Sequence, residues 1–424
     1  MKNCIILLLL CFLFSNAMAQ DSVYARNVMM KLGSKEFHGR GYVNGGIDSA
    51  ASYIEKEFTR LGLKPVEESY VQTFDISVNN FTSLELIIDG KKLRPGTDFI
   101  LNAHSSSVSG DFKTIYIDES IRTSKKKLNK LIPKISGKIL FLKRYETKDK
   151  DALQWYDAVA HQNPFKAAGI IVLDSGNLTY SVAMYDKLIS HFTAQLAPGA
   201  FPQKPAKSVS CNIKNNFISK YPVKNVAAYL QGQQYADSFI VITAHYDHIG
   251  MLGDAMFPGG NDNASGVAMM LDLARHLKDQ NFRPRYSIIF IALASEEAGL
   301  FGSTWFAEHP MMDLKRIRFL LNLDMVGSGS TGITVVNGSK FKNEFQKLVD
   351  LNNENKFING VKERGEACNS DHCPFYQRGV PSFFIYTTGK EYEEYHNIND
   401  KPEAVPMTAY NGLFRLVESF MYAL

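Results

Sequence analysis

The stretch Tyr286-Ser287-Ile288-Ile289-Phe290-Ile291-Ala292-Leu293-Ala294-Ser295-Glu296-Glu297 decides the fold. Tyr286 to Ala294 is strongly apolar and reads as a central strand, covered on both faces. Two adjacent carboxylates stand at its exit. On either side of this strand the pattern alternates. Ser238 to Ala244, Arg318 to Leu323 and Ser382 to Tyr386 read as strands. Ala264 to Gln280, Leu300 to Glu308, Lys340 to Asn353 and Thr408 to Ala423 read as helices. Strands separated by helices of roughly ten to fifteen residues predict an α/β fold, a mostly parallel mixed sheet sandwiched by helices. Sites in such sheets form beyond the carboxyl ends of the strands.

Upstream, Ser22 to Leu63 reads as helical, with Ala51, Ile54, Phe58 and Leu61 forming an amphipathic stripe. Asp48 or Ser49 is the expected cap, Gly62 and Pro65 the stop, and Gly39-Arg40-Gly41 with Gly45-Gly46 a flexible lead-in loop. From Val71 to Lys220 the texture changes to short β-rich runs (Leu84 to Ile88, Thr114 to Ile117, Lys138 to Leu142, Gly169 to Leu173) and a lysine cluster at Lys125 to Lys127. The expected organisation is therefore a leader over 1–19, a first part of the main domain over 20–70, an inserted β-rich domain over 71–220, and the rest of the main domain over 221–424.

The leader reading rests on Lys2, the apolar run Ile5 to Phe14, and the small-x-small site Ala17-Met18-Ala19. The run is too short to span a bilayer, and no later segment reaches the length of a membrane helix. The expected product is exported, to a periplasm or the extracellular space, and free of the membrane after cleavage. The 424 residues are 45% hydrophobic and 21% charged, which excludes a disordered chain. A formal charge of +4 without a block of either sign gives no reason to expect nucleic acid. Five cysteines exclude a scaffold built on disulfides.

Four polar clusters follow apolar strands. In the first, His245 and Asp247 lie two apart and can share a face, so that the carboxylate orients the imidazole. In Gly259-Gly260-Asn261-Asp262-Asn263-Ala264-Ser265-Gly266, Asp262 taken alone reads more readily as a helix cap, although the glycines permit close backbone approach. Glu296 and Glu297 must point in different directions, one toward a metal and one toward bound water as a base. Asp324 ends another strand, and His396 offers a further imidazole. Together these anions would repel one another without a counter-charge. Mixed imidazole and carboxylate donors suit zinc, with cobalt or manganese as substitutes. Five candidate ligands exceed what one catalytic zinc needs, which implies two metals sharing a carboxylate.

The order His245-x-Asp247, Gly260-Asn261-Asp262-Asn263-x-Ser265-Gly266, Glu296-Glu297, Asp324 and His396 resembles the co-catalytic zinc aminopeptidases, the M28 metallopeptidases. The lead-in Gly39-Arg40-Gly41 and the segment Asn225 to Leu230 are also similar to that family, and the middle segment resembles its inserted protease-associated domain. The resemblance implies two Zn2+ per chain: His245 and Asp324 on one ion, Glu297 and His396 on the other, and Asp262 bridging. It implies Glu296 as general base, Asp247 as the group orienting His245, and Tyr395 as a hydrogen-bond donor to the reacting carbonyl. The implied substrates are peptides with a free N-terminus.

A glutaminyl cyclase-like transferase and a carboxypeptidase or dipeptidase on the same fold are the enzymatic alternatives, and a non-catalytic ectodomain the remaining one. Cys368 and Cys373 form either a small disulfide or two thiols, and Ser370-Asp371-His372 between them resembles a supporting family loop. His276 lies off its helix's apolar stripe and is expected in solvent, and His248 is left undecided. Side-chain preference and oligomeric state are not legible.

Overall fold

A computed structural model describes residues 21–184, 187–279 and 284–424. The expected leader, and Gln280 at the end of an expected helix, lie outside the described residues. The main lobe is built on seven strands in the order Val361–Glu363, Gly332–Val336, Ser382–Thr388, Ile317–Leu323, Tyr235–His245, Tyr286–Leu293 and Ser208–Leu230. The four central strands are mutually parallel, while Gly332–Val336 and Ser208–Leu230 run antiparallel to their inner neighbours.

Period-two alternation explains the layers. Ile240, Ile242, Ile288, Phe290, Phe319 and Leu321 face one core, shared with the helices Ser22–Leu32, Gly46–Arg60, Ser265–Asp279 and Tyr410–Ala423. Their sequence neighbours Val241, Ile289, Ile291 and Leu320 face the other, closed by Phe306 of the helix Phe301–Glu308 and Phe375 of the helix His372–Gln377. Burial on both faces is why these strands read as near-continuous apolar runs. No described helix is long and apolar enough to cross a membrane.

The N-terminal region departs from one helical reading. It breaks into Ser22–Leu32, a 3-10 segment Lys35–Arg40 and the helix Gly46–Arg60. Gly45, in the left-handed region at φ 69°, stands at the cap position, and Asp48 pairs with Lys224 at 2.9 Å instead. The middle segment also carries helices, Lys125–Leu131 and Lys150–Gln162. Its strands Val108–Ile117, Ile139–Leu142, Gly169–Leu173 and Phe192–Leu196 run parallel, each to the next. The expected boundary at 220 falls inside a strand. Ser208–Leu230 pairs with Val71–Ile88 from Val226↔Val71 to Val209↔Ile88, a ribbon running from the main sheet into the inserted lobe.

Candidate metal centre

Each predicted ligand sits where its element stops. His245 is the last residue of the strand Tyr235–His245, and Asp324 follows Ile317–Leu323 directly. Glu296 and Glu297 occupy the turn beyond Tyr286–Leu293. Because these strands are parallel neighbours, their carboxyl ends lie side by side.

Asp262 does not cap the helix Ser265–Asp279. Its backbone is non-helical (φ −110°, ψ 96°), and Asn263 takes the capping role, its Oδ1 accepting from the Gly266 N–H at 2.8 Å. The same oxygen accepts from Met325 N–H at 3.2 Å, and Asn263 Nδ2 donates to the Leu323 carbonyl at 2.9 Å, which ties this loop to both flanks of Asp324. Asp262 is thereby released for the site. His245 Nε2 lies 3.3 Å from Asp262 Oδ1 and 3.2 Å from Asp324 Oδ1. His396 Nε2 lies 3.0 Å from Asp262 Oδ2 and 3.0 Å from Glu297 Oε2. One carboxylate thus faces both imidazoles, and each imidazole meets one further carboxylate.

His248 also approaches, its Nδ1 2.7 Å from Glu297 Oε1, and its ligand atom lies within 4.8 Å of those of Asp262 and Glu297. It takes one oxygen of Glu297, Oε1, whereas His396 meets the other, Oε2, together with Asp262 Oδ2.

Asp247 acts mainly on the glutamates. Its carboxylate stands 3.7 Å from His245 Nδ1, while its main-chain carbonyl is closer at 3.2 Å. Its two oxygens accept the N–H groups of Glu296 at 3.1 Å and Glu297 at 3.3 Å, and the Tyr42 hydroxyl at 3.0 Å. Tyr395, 45% exposed, stacks on His396 with ring centroids 3.8 Å apart.

The electrostatics call for positive charge. Burial opposes a proton on His396, yet Glu297 and Asp262 carry its imidazole up to about 11. Burial likewise opposes one on His245, and Asp324 and Glu296 still hold it well above the ordinary value. Burial, with the negative charges of Asp324, Glu297 and Asp371, pushes the Glu296 carboxyl up against the pull of His245. The three carboxylates of Asp262, Asp324 and Glu297 and the two imidazoles that meet them are a set of nitrogen and oxygen donors that divalent zinc satisfies. The residues present fit such an ion on either side of Asp262: His245, Asp262 and Asp324 also bring ligand atoms within 4.8 Å of one another.

Ser370, in the loop that the family resemblance gave as supporting, touches a predicted ligand, while other supporting residues escape sequence reasoning. Ser370 donates to Asp324 Oδ2 at 2.8 Å and accepts from Asn322 at 2.8 Å. Asp400, fully buried, and Tyr392 brace the Asp262 loop. Arg40, expected in a flexible loop, is wholly buried. The structure bonds Cys368 to Cys373, with Cα atoms 5.1 Å apart. His276 is not in solvent: it is buried against Phe414, with Nε2 2.9 Å from Glu418. Beside the centre, between the lobes, lies a cleft of about 720 Å³ whose walls include Tyr180 and Ile249; the Tyr180 N–H donates to the His396 carbonyl at 3.0 Å.

Residues 225–421 match the sequence profile of peptidase family M28. Aminopeptidase YwaD of Bacillus subtilis is 30% identical over 190 residues, 43% of this chain and 40% of that protein. A probable zinc metalloprotease of Pyricularia oryzae is 41% identical over 117 residues, 26% of this chain and 23% of that protein. The chain thus spans well under half the length of these curated relatives. A solved zinc aminopeptidase from Bacillus subtilis superposes with a TM-score of 0.70 over 95% of both chains at 20% identity, which establishes a shared fold.

Proposed function

On the premise that residues 225–421 belong to peptidase family M28, we propose that the protein is an exported zinc-dependent aminopeptidase that cleaves N-terminal peptide bonds at a pair of zinc ions. The observation that carries the reading is the double approach to Asp262: His245 to one of its oxygens, His396 to the other, at 3.3 and 3.0 Å. In this reading His245 and Asp324 hold one ion, Glu297 and His396 the other, and Asp262 bridges. Bound there, the ions would lower the pKa of a water to about 7 and would polarise the scissile carbonyl.

The chain's own residues supply the rest. Glu296, fixed through its N–H on Asp247, takes a proton from the attacking water and passes it to the leaving amine. Such acid–base help is worth ~10²–10⁴-fold. Tyr395, anchored on the His396 ring, offers its hydroxyl to the oxygen on which charge develops.

The test is zinc content and hydrolysis of aminoacyl-anilides, with and without chelator. Two zinc ions per chain and chelator-sensitive release of the first residue are expected. One zinc with pyroglutamate formation would place the protein with the cyclases, and release of C-terminal residues with the carboxypeptidases.

A further inference from the structure

We propose that Arg40 and Asp400 are positioning residues that grip the Gly259–Asn263 loop by its two backbone polarities and so fix Asp262 between the two imidazoles. Arg40 takes the carbonyls and Asp400 the amides. The proposal rests on the reading of Asp262 as the bridging ligand.

Arg40 is fully buried, and every hydrogen bond described for it goes to a main-chain carbonyl. Nε donates to Tyr246 at 2.8 Å, and Nη1 to Pro258 at 2.7 Å and Leu32 at 3.2 Å. Nη2 donates to Gly259 at 2.8 Å and Asp262 at 3.2 Å. One guanidinium therefore holds the residue between His245 and Asp247 together with the entry to the Asp262 loop and Asp262 itself. Five fixed N–H donors in a plane can do this, and an ammonium with three cannot.

Asp400 works on the other polarity. Its Oδ1 accepts the Asn261 N–H at 2.8 Å and its Oδ2 the Asp262 N–H at 3.0 Å. The Tyr392 hydroxyl, also on Oδ1 at 2.8 Å, sets the rotamer of the carboxylate.

The paired glycines of the motif follow from this grip. A Cβ on Gly259, which sits at φ +59°, would lie 2.5 Å from Arg40 Nη2 and 2.3 Å from the Asp262 carbonyl. A Cβ on Gly260 would lie 2.6 Å from Pro402 N, in the chain that carries Asp400. A side chain at either position would collide with the groups that close on the loop. Arg26 reinforces the arrangement, reaching the carbonyls of Pro402 and of Val405, the latter at 2.7 Å. Burying a guanidinium with no carboxylate in contact is expensive. Here five carbonyl hydrogen bonds and the nearby negative charges of Asp400 and Asp262 offset that cost.

Outer partners that orient metal ligands typically govern 10–100-fold of metal affinity. The test uses the full-length protein: zinc affinity by competition with a chromophoric chelator, alongside thermal unfolding, in Asp400→Asn, Tyr392→Phe and Arg40→Lys. Asp400→Asn is expected to weaken zinc binding about 10–100-fold, with hydrolysis regained at high zinc. Tyr392→Phe removes a single half-buried hydroxyl, so the fold survives even where Asp400→Asn does not; it should shift zinc affinity the same way by less. Arg40→Lys retains the charge and should still lose affinity. A lower Tm with unchanged zinc affinity in Asp400→Asn and Tyr392→Phe would overturn the clamp and leave the aminopeptidase reading standing. Absence of zinc from the unaltered protein would overturn both.

Discussion

At the residue scale the division of labour between Asp262 and Asn263 shows why a motif can be read for its chemistry and misread for its geometry. An aspartate just before a helix is a natural cap, but Asn263 supplies the cap and a tie to the Asp324 strand, which leaves Asp262 both oxygens for the imidazoles. Two substitutions separate the roles. Glu296→Gln should retain zinc and lower turnover at least about a hundredfold, because it removes a proton carrier and no ligand. Asp262→Ala should lose zinc and activity together. Metal analysis beside a rate assay checks both, and near-normal turnover in the first would refute the base assignment. His372 adds a pH dependence away from the ligands. Burial lowers its imidazole from 6.5 to about 4, so the unfolded chain binds a proton through that interval that the folded chain refuses. Its contribution is neutral above pH 6.5, and stability falls as pH drops toward 4, by up to about 3 kcal/mol. Urea unfolding from pH 7 to 4.5 should show a shallower decline in His372→Phe than in the unaltered protein.

At the element scale the sheet was legible because its strands are doubly buried. Tyr286–Leu293 ends one residue short of the expected strand, and Ile317–Leu323 and Tyr235–His245 are close to their expected spans. The strands Gly332–Val336 and Val361–Glu363 were not foreseen. They lie at the sheet edge, and Val361–Glu363 has only three residues, mostly exposed, too few to show a period. The Arg40 loop failed for a different reason. Four of the five carbonyls that Arg40 meets are more than two hundred positions away, and glycines on both sides of an arginine look the same whether the side chain swings free or is fully enclosed. The central strand should be correspondingly costly to damage. Phe290, with no exposed surface, packs in the larger core, and Phe290→Ala is expected to destabilise by about 3–5 kcal/mol in denaturant titrations. A loss below 1 kcal/mol would mean the strand is not central to the core.

At the scale of the whole molecule, the inserted lobe is joined to the main lobe by more than its two connections. The ribbon of Val71–Ile88 on Ser208–Leu230 stays paired from one lobe into the other, so neither can unfold without breaking a ladder that serves both. The apolar core of the inserted lobe also takes in Ile249, Leu252 and Phe257 from the loop between His248 and the Asp262 motif, and Tyr180 of the inserted lobe packs its ring 5.1 Å from Phe257. Composition alone suggested separate domains, since a change of texture marks where a chain is inserted but not how firmly the insert is held. The chain contains two tryptophans, Trp155 on the helix Lys150–Gln162 of the inserted lobe and Trp305 on the helix Phe301–Glu308 of the main lobe. Each therefore reports on its own lobe once the other is replaced by phenylalanine. In urea, the tryptophan fluorescence of each variant, Trp155→Phe and Trp305→Phe, should change with the same midpoint as the far-UV ellipticity of that same variant, as a single cooperative unit requires. Midpoints that separate, with the Trp155 signal lost first, would show instead that the inserted lobe opens on its own and that the ribbon acts as a hinge.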